Sequence, residues 1–416
     1  MKIKVQPDDF YVEEFTNHHL SKSGQYSIYK LEKRFWDTFD LLDYLSRKYK
    51  FRNIGRAGIK DRYSHSIQYI SVKGVKEKEF KEDNFKLDFI GKSDSPITQN
   101  DLVKNKFTIV VRDLNEKEAE YIQNNVQTLT KFGFPNYYDE QRMGSARAKQ
   151  GFIAEKLILK HYNGALKLYM ATPSSFDDSR TRKLKKYLDE HWTNWKECLK
   201  YPYAPRTNFQ ESIEQSNSKS ISSKQSYKLV RGKLGQYRYP LLYLAEHPKD
   251  FKGAIKTIRR DLLEMFINAY QAFLWNETLK GLLEIEKVET FKRKYRFGDL
   301  YFYDGVAEDK LKYFQGISIT AVSYKTQFKD NKIKQAVEQV LALENKSLKD
   351  FKIDLNIKGL FFKPYERNAI VIPEDFIINN AVNDELYPKK LKITLSFALP
   401  KGSYATILLK RVTSLG

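Results

Sequence analysis

The sequence predicts an α+β protein whose sheet is begun in the first third of the chain and joined again near residue 390, with an insertion between. Three observations predict it. Runs in the first third alternate apolar and polar residues in the strand manner and are interrupted by a helical pattern. The run "LKITLSFAL" puts Leu391, Ile393, Leu395, Phe397 and Leu399 on one face, and a strand that apolar needs a sheet to join. At 416 residues the chain exceeds one ordinary core, so two domains, or one domain carrying an insertion, are expected.

Taken in order, "GQYSIYKLEK" alternates as a strand, and "DTFDLLDYLSRKYK" then sets Leu41, Leu42, Leu45 and Tyr49 on one helical face. "HSIQYISVKG" and "KFTIVVRDL" read as further strands. Asn115, three residues before Glu118, is a capping-box signal for a helix that stops near Gly133 and Pro135. "SIEQSNSKSISSKQS" (Ser212 to Ser226) is polar and serine-rich, the composition of an exposed loop. A long helix is predicted around Asp261 to Glu284, strand within "KRKYRFGDLYFYDG", and another helix in "NKIKQAVEQVLALENK". At the end, "PKGSY" turns the chain and "ATILLKRV" is expected to return as a second strand, making a hairpin.

The charge narrows the function. With 73 Lys and Arg against 52 Asp and Glu, the net charge of +21 favours a polyanionic partner, because neutralised phosphates release condensed counterions. The basic residues alternate with Tyr and Phe, which favours nucleic acid over a merely solvated surface. Cys198 is the only cysteine, so no disulfide framework or thiolate metal site is expected. No apolar signal run opens the chain and no stretch approaches membrane-span length, so a soluble, cytoplasmic protein with no membrane partner is expected.

Several chemistries lack their residues. No Gly-rich phosphate loop supports nucleotide hydrolysis or a redox cofactor. The six histidines show no zinc-site spacing, and the adjacent His18 and His19 read as an exposed loop pair. No serine nucleophile elbow is present, and Cys198 sits in a helical pattern. What remains is carboxylate and amine chemistry acting directly on a nucleic acid.

One carboxylate stands out. In "GIKDRYSHSIQYISV", Asp61 lies between Lys60 and Arg62. It reads first as a turn or cap residue, or as one half of an exposed ion pair, and after those as a catalytic group kept ionised by cations. As a catalytic group it would act on a nucleoside, at the sugar anomeric carbon or at C6 of a pyrimidine. "FPNYYDEQRMGS" adds a candidate stacking face, Tyr138, with Gln141 and Arg142 as polar contacts.

Together these stretches resemble the TruD family of tRNA pseudouridine synthases, along nearly the whole chain. "PDDFYVEE" resembles the family's P-x-D-F-x-V-x-E segment, with Lys4 shortly before it. "AGIKDRYSHSIQ" is similar to the signature that carries the catalytic aspartate, here Asp61. "LVKNKFTIVVRDL" matches the segment with Asn105 before a strand, and "NYYDEQRMG" resembles N-Y-F-G-x-Q-R-F-G. "NAYQAFLWNETL" and "FALPKGSYATILLKRV" are similar to a family helix and to its closing L-P-x-G-x-[FY]-A-T segment. Ser64 and Ser66 replace the usual Ala and Thr, Tyr138 a Phe, Asp139 a Gly and Met143 a Phe.

The resemblance implies a pseudouridine synthase fold with a mixed, largely antiparallel sheet, and an inserted α+β domain particular to the family. The catalytic domain would comprise residues 1–159 and 366–416, and the insertion 160–365. It implies isomerisation of uridine in tRNA, at position 13 in the D-arm, with Asp61 as the catalytic carboxylate and no metal or other cofactor. Lys4, Phe10, Lys60, Arg62, Asn105, Asn136, Tyr138, Gln141 and Arg142 are the expected substrate contacts. Lys4 or Arg142 would pair with Asp61 or a phosphate. A non-catalytic RNA binder on the same scaffold, or a synthase acting on another tRNA site or on messenger RNA, are the alternatives. A monomer is expected, since no exposed apolar seam is visible.

Overall fold

The computed structural model describes residues 1–75, 77–146, 150–174, 177–201 and 234–413. The serine-rich run Ser212 to Ser226 lies outside the described residues.

One large sheet organises the site. Its strands, in chain order, are β1 (Phe10–Thr16), β2 (Tyr26–Lys33), β3 (Gly55–Arg56), β4 (His65–Lys73), β5 (Phe80–Glu82), β6 (Phe85–Ser93), β7 (Leu102–Leu114), β8 (Glu374–Ile378), β9 (Val382–Asn383) and β10 (Leu391–Pro400). They lie in the order β8-β10-β7-β1-β4-β2-β6-β5, with β9 also beside β10 and β3 beside β4. The β1–β4 pair is parallel and the other pairs are antiparallel, so the sheet is mixed and largely antiparallel. Strand β10 joins the sheet begun by the first strands, in register with β7 from Leu391↔Leu114 to Pro400↔Lys104.

Helix α1 (Thr38–Lys48) starts where Asp37 accepts the Phe39 amide at 2.8 Å. Leu41, Leu42 and Leu45 on its inner face pack with Tyr29, Leu31, Ile70 and Leu87 of the sheet. Each such side chain removed from water stabilises the fold by ~1.5–3 kcal/mol. Helix α2 (Glu116–Phe132) opens on the reciprocal Asn115–Glu118 cap, with bonds of 2.9 and 2.8 Å, and ends at Gly133 in the left-handed region, φ 66°. Helix α3 (Arg260–Ile285) is the long one expected, and Phe291–Tyr295 pairs with Gly298–Phe302 as a hairpin. A second, larger core runs from Phe10, Phe107, Ile109 and Phe397 of the sheet into α3, so sheet and middle helices share buried side chains.

Two expectations are corrected. "ATILLKRV" does not return as a strand: it forms helix α4 (Ala405–Val412). The free edge of β10 is already taken by β8 and β9, so a returning strand has nothing to pair with. Ala405, Leu408, Leu409 and Val412 instead bury at helical spacing, and Arg411 donates to Asn125 of α2 at 2.9 Å. The second correction concerns His18, which is tucked in and not exposed, its Nε2 3.0 Å from Ser93 Oγ. Among the described residues no helix is long and apolar enough to cross a membrane.

Candidate active site

Asp61 sits in the loop between β3 and β4, at the side of a cleft of about 200 Å³. The loop is held from beneath. Lys33, fully buried at the end of β2, donates to the carbonyls of Trp36 (2.7 Å), Lys60 (3.3 Å) and Asp61 (3.0 Å). Burial pushes this lysine down to about 8, against the pull of Asp37 and other acids. Thr38 at the start of α1 accepts the Lys60 amide at 2.9 Å, and Ser64 donates to the Asp61 carbonyl at 2.9 Å. A backbone pinned at this many points presents its one carboxylate in a fixed place.

The cation that faces Asp61 is not a sequence neighbour. Lys4 Nζ donates to Asp61 Oδ2 at 2.6 Å, and Gln141 Nε2 donates to Oδ1 at 3.0 Å. Lys4 holds a left-handed backbone, φ 55°, and its ammonium lies 4.1 Å from the centre of the Phe10 ring. The segment carrying Lys4 is anchored by Asp9, which takes a 2.8 Å bond from the buried Arg112 of β7 and caps the Gln6 amide at 3.1 Å. That arrangement is the structural reason for the acid before Phe10 in "PDDF". Burial alone raises the Asp61 carboxyl. The Lys4 charge and hydrogen bond, the Gln141 hydrogen bond and the Lys33 charge outweigh it and hold the carboxyl below the usual aspartate value. Its side chain remains 40% exposed, within reach of a ligand.

Lys60 and Arg62 are turned elsewhere. Lys60 bonds Glu14 in an ion pair that is buried on both sides. Gly58 is small for that pair's sake, since a Cβ there would collide with the Glu14 carboxylate. Arg62 pairs with Asp40 on the surface.

The cleft brings together Lys4, Phe10, Lys60, Asp61, Asn105 and Gln141 of the expected residues. Asn105 Oδ1 is buried beside it without a hydrogen-bond partner among the described residues. Tyr138 and Asn136 do not border it. Tyr138 is 6% exposed, its hydroxyl bonded to Tyr365 at 3.1 Å and its ring beneath the Arg367 guanidinium, 4.1 Å from the centroid. Asn136 braces the turn, accepting from Arg367 at 2.7 Å and donating to the Asn368 carbonyl at 3.1 Å. Arg142 is exposed and does not border this cleft, and its side chain makes no hydrogen bond or ion pair with the described residues.

Sequence reasoning missed the far wall: Phe107, and Ser403 to Thr406 at the start of α4. Tyr404 borders the cleft together with Phe10 and Phe107, and its ring lies 6.2 Å from that of Tyr138. The signal was present in "PKGSYAT", read as a hairpin instead of as a wall. The Asp139 departure is also explained locally. Its carboxylate faces Thr406 (2.5 Å) and Lys410 (2.8 Å) of α4, not the cleft, and Met143 Sδ accepts from Tyr295 at 2.9 Å.

Comparison with known proteins identifies the family. The family model for tRNA pseudouridine synthase D (TruD) matches residues 1–207 and 204–412. The chain is 32% identical to "Probable tRNA pseudouridine synthase D 1" of Methanococcus maripaludis, covering 99% of each chain. It is 26% identical to tRNA pseudouridine synthase D of Aquifex aeolicus, covering 99% of this chain and 98% of that one. A crystal structure from Methanosarcina mazei, named for tRNA pseudouridine synthase D (TruD), superposes with a TM-score of 0.69 at 25% identity, over 100% of this chain and 93% of the other. On a match that spans nearly every residue, the chain belongs to the tRNA pseudouridine synthase D (TruD) family.

Proposed function

We propose that this protein isomerises uridine to pseudouridine in tRNA, at position 13 of the D-arm, with Asp61 as the reacting carboxylate. The observation that carries the reading is the placement of Asp61: ionised by Lys4, held by Gln141, and open to a cleft of about 200 Å³ in a strongly basic chain.

The reaction is redox-neutral. The N1–C1′ bond breaks, the uracil turns, C5 bonds to C1′, the C5 proton leaves and N1 gains one. Asp61 serves this by attack at C1′ or C6, or by assisting a glycal intermediate. The uridine must leave its stack to reach the cleft. Tyr404 and Phe10 offer walls for the flipped base, and the unpartnered Asn105 Oδ1 suits the uracil N3–H. In this reading Arg142 and Arg62 take the adjoining phosphates. No cofactor enters the scheme, and a monomer working on tRNA in the cytoplasm is part of the reading. So is the division into a catalytic domain of residues 1–159 and 366–416 and an insertion of residues 160–365.

The test is carbodiimide-labelled primer extension on tRNA transcripts treated with wild type or Asp61→Asn. A stop at position 13 with wild type only supports the reaction, the target and the carboxylate. Binding without any stop makes the protein a non-catalytic RNA binder, and a stop elsewhere changes only the substrate position.

A further inference from the structure

A second cleft of about 350 Å³ opens beside the first, larger than the one that must take a uracil. The two meet at the short turn Glu140–Met143: Gln141 borders both, and Arg142 borders the second. Its inner wall is aromatic. Tyr169 packs edge-on against Tyr237, ring centres 5.1 Å apart, and lies 5.3 Å from Phe266 of α3. Met265, 44% exposed, forms the lip. One side is stiffened by the ion pair of the buried Lys185 with Asp177, at 2.8 Å.

Two observations point to a ligand. Tyr169, only 4% exposed, lines the cleft, and its buried hydroxyl has no hydrogen-bond partner among the described residues. A buried hydroxyl left without a partner destabilises the fold, so its retention asks for an occupant with a polar edge. The second is Arg142, a guanidinium with no ion pair among the described residues, standing where the clefts join. An occupant with a flat apolar body, a polar edge and an adjoining negative charge is a nucleotide.

We propose that the second cleft holds the base of a nucleotide next to the target uridine in the same RNA strand, with Arg142 on the phosphate between them. The site thus extrudes two bases. Tyr237 and Phe266 cover the flanking base, Tyr169 bonds its edge, and Gln141 reports the filled cleft to Asp61 through their shared hydrogen bond. This rests on the pseudouridine synthase reading only for the identity of the RNA.

The test measures dissociation constants with the full-length Asp61→Asn protein, so turnover is not needed. The RNAs are the parent tRNA and versions with an abasic nucleotide at each of the two positions on either side of the target uridine. One abasic position is expected to weaken binding about tenfold, the order of one lost base–aromatic stack. Adding Met265→Trp, which fills the cleft from its exposed lip, is expected to weaken binding of the parent and to abolish the penalty of that abasic position. Adding Tyr169→Phe is expected to remove part of the coupling while the melting temperature holds or rises, since it deletes only an unpartnered hydroxyl. The proposal is overturned if all the abasic RNAs bind like the parent, or if the losses from Met265→Trp and the abasic site simply multiply. Failure of the synthase reading shows separately, as wild-type protein that leaves no pseudouridine on the parent tRNA.

Discussion

Lys4 Nζ meets Asp61 Oδ2 at 2.6 Å across a sequence separation of 57 residues, and it is this contact that sets the charge state of the site. Because the Lys4 charge opposes the effect of burial, removing it raises the Asp61 pKa. Lys4→Met is expected to move the acid limb of the kcat/KM profile to higher pH and to lower its plateau. A profile that loses height without moving along the pH axis would mean that Lys4 serves the RNA and not Asp61.

Asp61→Asn keeps the shape of the site and removes its charge. A loss of at least about a thousandfold in kcat is expected, as for deletion of a reacting group. Affinity for tRNA, measured by filter binding, is expected to stay within about threefold of wild type.

The Lys60–Glu14 pair is structural by position, since both side chains are buried, at 8% and 0% exposure. Lys60→Met alone strands a buried carboxylate and is expected to cost ~3–5 kcal/mol in thermal or denaturant unfolding. The double variant Glu14→Leu/Lys60→Met is expected to recover most of that loss and to bind tRNA like wild type. A double variant that is stable but binds tRNA poorly would return Lys60 to the substrate contacts.

Arg62 gives the opposite pattern. Its pair with Asp40 is exposed on both sides, at 64% and 54%, so Arg62→Ala is expected to change stability by less than ~1 kcal/mol. If it rests on a phosphate, the slope of log Kd against log salt falls by about one on its removal.

Tyr404 is expected to carry the stacking that Tyr138 cannot reach from its buried place. Tyr404→Ala should lower kcat/KM by about 10- to 100-fold, the scale of one base–aromatic stack, and Tyr404→Phe should retain most of the activity. Equal losses in both variants would assign the work to the hydroxyl.

The sheet was legible because its strands carry apolar runs at strand spacing and α2 announces both of its ends. Asp61, Gln141 and Phe10 were legible as motif residues, and the structure gathers them around one cleft. Partnership was legible only as alternatives, Lys4 or Arg142 for Asp61, and the structure selects Lys4. Charges adjacent in the chain, Lys60 and Arg62, point away from Asp61 on a tightly turned loop, whereas Lys4 arrives from a separate segment. Helix α4 was misread because eight residues fit both a strand and a helix, and only the occupied edges of β10 decide between them. Tyr138 was misplaced for a related reason: its burial depends on Arg367, Tyr365 and Tyr404, all more than two hundred residues away.

The seat of β10 beside β7 also bears on how the chain is made. Strand β7 is complete at residue 114, but its neighbour begins only at residue 391. At roughly 5–20 residues per second on the ribosome, tens of seconds separate the two. Throughout that interval the nascent protein carries an open strand edge in what becomes the middle of the sheet, a template for wrong pairing. The wall formed by Tyr404 to Thr406 is synthesised later still. A growing chain therefore has no finished site with which to grip RNA, and the window in which it most needs a chaperone closes at the moment it becomes competent.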